Sequence, residues 1–194
     1  MRILSTLLLC AVLFTACSVE ENSEPIPQQI DFNINSSAFG AKSTSPTAVL
    51  CQSTDLIAGQ TEVVGTVEVY VDGTVVSIVY TTIPGWNLDE THMSVGNCTG
   101  DIPTTGSGNP KVGHFEYSAN HSDGTTVVTY TADSTNLPAE TCVAAHAVVS
   151  STAGANETAW GHGPGFPGRS WATFMQIDMT ACGGSTPPPP VDER

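Results

Sequence analysis

Two runs of β-branched and aromatic residues, Thr66–Val71 and Thr74–Tyr80, flank Asp72-Gly73. Alternation along the first run puts Val67, Val69 and Val71 on one face, and Asp-Gly between such runs suits a type I′ turn. A chain with this hairpin is committed to antiparallel sheet. A second hairpin is predicted from His114–Ala119 and Thr125–Thr131 around Ser122-Asp123-Gly124. Further strands are predicted at Trp86–Val95, Thr141–Ser151 and Ser170–Thr180. Charged residues are only 12% of the 194, and the long helix formers are scarce, which argues against helical bundles and coiled coils. Short strands separated by Gly, Pro and Asn predict an all-β fold: a single antiparallel β-sandwich, immunoglobulin-like or jelly-roll, stapled by disulfides.

Five Lys and Arg against 19 Asp and Glu give a formal net charge of −14. Such a field repels polyanions and excludes nucleic acid as a partner. Met1-Arg2 precedes a mostly apolar run, Ile3 to Phe14, that falls short of the roughly 20 residues of a membrane-spanning helix. Residues 1–16 therefore read as a signal peptide. Phe14-Thr15-Ala16-Cys17 resembles a bacterial lipobox, which implies diacylation of Cys17. Acyl chains contribute about 0.8 kcal/mol per buried CH2 and make a durable tether to the outer membrane. Ordinary signal-peptidase cleavage near Ala16 is the alternative. The acidic cluster Glu20-Glu21-Asn22-Ser23-Glu24 resembles the surface-export signal of Bacteroidetes lipoproteins, which implies an exterior-facing protein; a solvated acidic linker is the other reading. The expected organisation is a lipidated polar linker over 17–45, the folded domain over 46–183, and a Pro-rich tail over 184–194.

Cys10 leaves with the signal peptide and Cys17 is reserved for lipid, so Cys51, Cys98, Cys142 and Cys182 remain. An even number in an exported chain reads as two disulfides. Of the three connectivities we favour Cys51 to Cys182, clasping the ends of the body, with Cys98 to Cys142 inside it. Their spacings are unlike those of zinc sites. Asp72-Gly73 and Asp123-Gly124 are turns before they are calcium ligands, because EF-hand spacing is missing. No cofactor is expected, and calcium or zinc are the candidates should a metal be held.

Period 2 along Trp86-Asn87-Leu88-Asp89-Glu90-Thr91-His92 puts Trp86, Leu88, Glu90 and His92 on a common face, inward if the indole and leucine are inward. A carboxylate and an imidazole there need partners, and His146 and Glu157 are the candidates. The cluster reads as a hydrogen-bonded structural network, a metal or ligand site, or a catalytic one. Asn156 to Phe174 sets Trp160, Phe166, Trp171 and Phe174 among glycines, an irregular aromatic loop. Trp160 and Trp171 are either a platform for sugar rings or core residues. Motifs for a Ser-His-Asp triad, a zinc protease or a phosphate loop are missing from the sequence.

Gly85-Trp86-x-Leu88-x-Glu90-Thr91-His92, Gly113-x-Phe115, Ala145-His146-Ala147, Glu157-Thr158-Ala159-Trp160 and Ser170-Trp171-Ala172-Thr173-Phe174 together resemble a recurrent module of bacterial exported and surface proteins, over roughly Leu56 to Met179. The resemblance implies architecture and location rather than an activity. It also implies that Glu90, His92, His146 and Glu157 belong to the module's shared design. Three functions follow as expectations. The first is a lipid-anchored binding module that captures a surface glycan or protein; the second is a hydrolase using Glu90 or Glu157 with a neighbouring His; the third is a structural envelope protein without a ligand.

Overall fold

The computed structural model describes residues 30–37 and 45–182. It contains β1 (Asn33–Ser37), β2 (Val49–Ala58), β3 (Glu62–Asp72), β4 (Val75–Thr82), β5 (Trp86–Asn97), β6 (Tyr117–Asn120), β7 (Val127–Asp133), β8 (Glu140–Ser151), β9 (Asn156–Gly161) and β10 (Met175–Asp178), then one helical turn, α1 (Met179–Cys182). All ten strands belong to one hydrogen-bonded sheet in the order β1-β7-β4-β3-β2-β9-β8-β5-β6, with β10 beside β8. Every pairing is antiparallel.

The sheet curls until it is nearly barrel-shaped. Tyr117 on the edge strand β6 packs edge-on against Phe32, just ahead of the other edge strand β1, with ring centroids 4.9 Å apart. The Tyr117 hydroxyl donates to the Ile30 carbonyl. Bringing the two edges together shields backbone groups that an open edge would expose. The strands thus form one continuous sheet, where a sandwich would divide them into two.

The interior is filled by alternate residues of the strands, among them Val67, Val69, Ile78, Tyr80, Val128 and Tyr130. Val67, Val69 and Val71 do share the inward face. The β3–β4 hairpin forms where expected, but its register closes on Asp72 and Val75. The two loop residues are therefore Gly73 and Thr74, and only Gly73 has a left-handed φ, +61°. That is the requirement of a II′ turn rather than the expected I′.

β6 and β7 do not form the second hairpin. β6 pairs with β5, and β7 pairs with β4 and β1, so the local turn signal at Asp123-Gly124 joins strands that part company. β1 lies inside the stretch expected to be linker, and Ile30 and Phe32 pack on the core, so the described fold begins ahead of Pro46. The strand expected at Ser170–Thr180 shrinks to Met175–Asp178. Both disulfides join the favoured partners: Cys51–Cys182 (Cα–Cα 5.1 Å) ties β2 to α1, and Cys98–Cys142 (4.9 Å) ties the end of β5 to β8. Cys17, the acidic cluster and the Pro-rich tail lie outside the described residues.

Two local features position the candidate sites. In the β5–β8 ladder Leu88 faces Val149 and Glu90 faces Val148, so Asp89 is an extra residue, a β-bulge. β9 and β10 run in the same direction along β8, with Gly161 bonded into β2 and Met175 opposite Val143. They are two halves of one interrupted strand, and residues 162–174 leave it as a loop whose ends meet again. The loop's apolar side chains cover the outer face of β8. A second cluster forms there from Ile102, Phe115, Ala144, Trp160, Phe166 and Ala172. β8 is consequently buried on both faces, which accounts for its unbroken apolar run from Cys142 to Ala145.

Candidate functional site

The bulge at Asp89 decides where the expected His/Glu cluster sits. Trp86 and Leu88 point into the barrel, as expected, but the extra residue reverses the alternation after them. Thr91 and Met93 are the ones that become fully buried. Glu90 and His92 turn to the outer face instead of the inner one. There His92 Nε2 lies 3.2 Å from Glu90 Oε2, with side chains 21% and 44% exposed. A pair this exposed contributes little to stability.

His146 lies beside His92 in the ladder and is only 7% exposed. Its ring packs 4.8 Å from Trp160 and 5.4 Å from His92, centroid to centroid. Burial, with the neighbouring His92 adding to it, holds the His146 imidazole down at about 4, so the ring is neutral at physiological pH. Its Nδ1 and the nearby Ser94 Oγ are buried with no protein hydrogen bond.

Glu157 does not join this row. It has the strand parity of the buried Ala159, opposite to Trp160, and its carboxylate lies beside Gly59 at the rim of the barrel. Among the described residues no group of three or more His, Cys, Asp and Glu is placed to hold a metal ion.

Trp160 is a core residue. It is 5% exposed and meets Phe115, Phe166 and His146 edge to face. Trp171 differs: it is half-buried on the 162–174 loop and lines a cleft of about 370 Å³ with Ile57, Gln60, Thr61, His162 and Thr173. One wall is that loop and the other is the β2–β3 turn.

Both walls are fixed by backbone contacts. Phe166 N–H donates to the Ala172 carbonyl and Phe174 N–H to the Pro164 carbonyl, each at 3.1 Å, folding the loop on itself. A Cβ at Gly163 would collide with the Phe174 carbonyl oxygen, so only glycine permits that approach. His162 is tied to β2 in both directions, its N–H donating to Asp55 at 2.8 Å and its carbonyl accepting from Thr54 Oγ1 at 2.7 Å. Asn109 Oδ1 accepts the Ser170 N–H at 3.0 Å and ties the loop to the neighbouring one. In the opposite wall, Thr61 N–H donates to Ala58 across Gly59 and Gln60, whose φ values are +52° and +78°. Gln60 is the non-glycine with a left-handed φ among the described residues, a conformation that costs about 1 kcal/mol or more and tends to persist at ligand clamps.

No family model, curated protein or solved structure matches the chain.

A third polar group runs inside the barrel. His121 Nε2 lies 2.8 Å from Thr91 Oγ1, which lies 2.6 Å from the Tyr130 hydroxyl. Burial holds the His121 imidazole below its ordinary value and pushes the Tyr130 hydroxyl up. These side chains satisfy one another; Thr91 and Tyr130 are buried in the core and His121 is half-buried at its edge. The sequence reading missed them, and it missed Gln60 and Thr61 as neighbours of Trp171, whereas His162 lies on the same aromatic loop that the sequence singled out. For the turn residues the available signal was Gly59 between two β-branched runs.

Proposed function

We propose that the folded domain is a saccharide-binding module, and that its combining site is the Trp171 cleft. The observation that carries this reading is the combination in one rigid cleft of a half-buried indole with an amide (Gln60), two hydroxyl-bearing residues (Thr61, Thr173) and an imidazole (His162). A pyranose has an apolar C–H face and a rim of hydroxyls. An indole face takes the first, and short polar side chains that both donate and accept take the second. The cleft volume lies within the range of small-ligand sites. The residues lining it carry no carboxylate, which favours capture over glycoside hydrolysis with its paired carboxyl groups.

The same reading places the module on the bacterial outer membrane, facing outward and held by acyl chains on Cys17. Its support is the lipobox-like run before Cys17 and the acidic cluster after it. The 13 residues from Cys17 to Gln29 have a contour length of roughly 45 Å, enough to hold the barrel clear of a lipid surface.

The test is binding of residues 18–194, disulfides intact, to a broad polysaccharide panel, with calcium and then with chelator. Saturable binding that survives chelation is the expected result, and silence across the panel overturns the reading.

A further inference from the structure

The 162–174 loop also borders a second pocket, open to solvent on one side. That cavity, about 310 Å³, lies between this loop and residues 98–108. Ile102, Phe166, Pro167 and Phe174 form its walls, and Cys98, half of a disulfide, borders it. Thr99 and Thr104 supply the side-chain hydroxyls, and none of the lining residues is charged. Phe166 and Phe174 stand edge to face, centroids 5.0 Å apart, so their rings are already fixed against each other.

Gly165, which also lines the cavity, is the informative residue. Its φ is not left-handed, and a Cβ built on it meets no heavy atom within 4 Å. Neither backbone nor packing requires glycine there. Gly108 on the facing wall is the contrast: its φ is +83°, and a Cβ would come within 3.0 Å of Gly168 N. Gly165 is exposed, so the space its missing side chain leaves is the solvent-facing mouth of the pocket. Beneath that mouth the buried Ile102 and Phe166, with Phe174, form an apolar floor that a small apolar ring would cover.

We propose that this cavity is a binding site for a small uncharged aromatic or alicyclic molecule, of one ring or two fused rings. It is separate from the saccharide cleft and does not depend on it. The two sites share the loop but no lining residue, Trp171 and His162 bordering one, Phe166 and Phe174 the other.

The experiment uses indole as probe and follows backbone amides of residues 18–194 by NMR during titration. The expected result is saturable shifts centred on residues 98–108 and 165–174, with a Kd of about 1 mM or tighter. Gly165→Leu crowds the mouth of the pocket and raises the Kd at least about tenfold, while the remaining amide spectrum stays native. Should Gly165→Leu not fold, Gly165→Val takes its place with the same expectation. Gln60→Ala, on the far wall of the other cleft, leaves indole binding intact. Absence of saturation at about 10 mM indole, or equal binding by the Gly165 variant, overturns the proposal.

Discussion

Acidification from pH 7.5 to 4 destabilises the fold through His146, and the size of the effect follows from where that ring sits. It is buried against Trp160 and His92, and its folded value is lowered to about 4. An unfolded histidine titrates near 6.5. Between those values the unfolded chain binds a proton that the folded chain refuses. Stability therefore falls as pH drops from about 6.5 to about 4 and this contribution levels off below. A gap of about 2.5 units, at 1.36 kcal/mol each, comes to about 3 kcal/mol. His121, also lowered by burial, acts in the same direction. Asp72, Asp133 and Asp178 are held below the usual carboxylate range by hydrogen bonds from nearby Thr side chains and backbone, so their contribution is lost only at still lower pH. The assay is urea denaturation of residues 18–194, disulfides intact, at intervals from pH 7.5 to 4, beside His146→Leu. Leucine removes the proton site and the unpartnered Nδ1 together, so the variant keeps wild-type stability at pH 7.5 within about 1 kcal/mol. The wild type then loses about 3 kcal/mol more than the variant on acidification. Parallel pH profiles for the two proteins would refute the argument.

Replacing Cys51 and Cys182 together by Ser should cost about 5 kcal/mol, and replacing Cys98 and Cys142 about 4 kcal/mol, because the first bridge spans 131 residues and the second 44; denaturant melts showing the reverse order would contradict the loop-entropy account. Trp160→Ala should destabilise by about 3–5 kcal/mol, as expected for a buried indole in a cluster of rings. A loss below about 1 kcal/mol would mean that the outer cluster is not packed as described. Cys17→Ala should release the protein from membranes into the soluble fraction of cells, and unchanged membrane retention would refute lipid anchoring at that residue.

Much of the sheet was legible from local pattern. β3, β4, β5 and β8 each carry enough β-branched or apolar residues to be read without knowing their partners, and the disulfide pairing favoured among the three possible is the one found. What local pattern does not carry is long-range pairing. Asp123-Gly124 is a good turn, yet β6 and β7 find partners elsewhere because barrel closure brings the chain near Ile30 to Tyr117. β1 had a signal: Ile30, Phe32 and Ile34 alternate with polar residues, and the Ser- and Asn-rich surroundings hid it.

The site was legible residue by residue and not as an assembly. A β-bulge leaves no mark on hydrophobic parity until the register is known. The extra residue at Asp89 therefore turned Glu90 and His92 outward against expectation, and with them the His/Glu cluster. Trp160 and Trp171 lie on one aromatic stretch, but only the interruption between β9 and β10 separates a core indole from a cleft indole. Gln60 meets Trp171 through the tight β2–β3 turn, at a sequence distance that no local rule spans.

Saccharide binding at Trp171 is the proposal on which the functional reading stands. Calorimetric titration of residues 18–194 and of Trp171→Ala, with soluble fragments of the best-binding polysaccharide, tests it directly. The expected result is at least about a tenfold loss of affinity in the variant, about 1.4 kcal/mol, with a native amide spectrum retained. Equal affinity for the two proteins would contradict it.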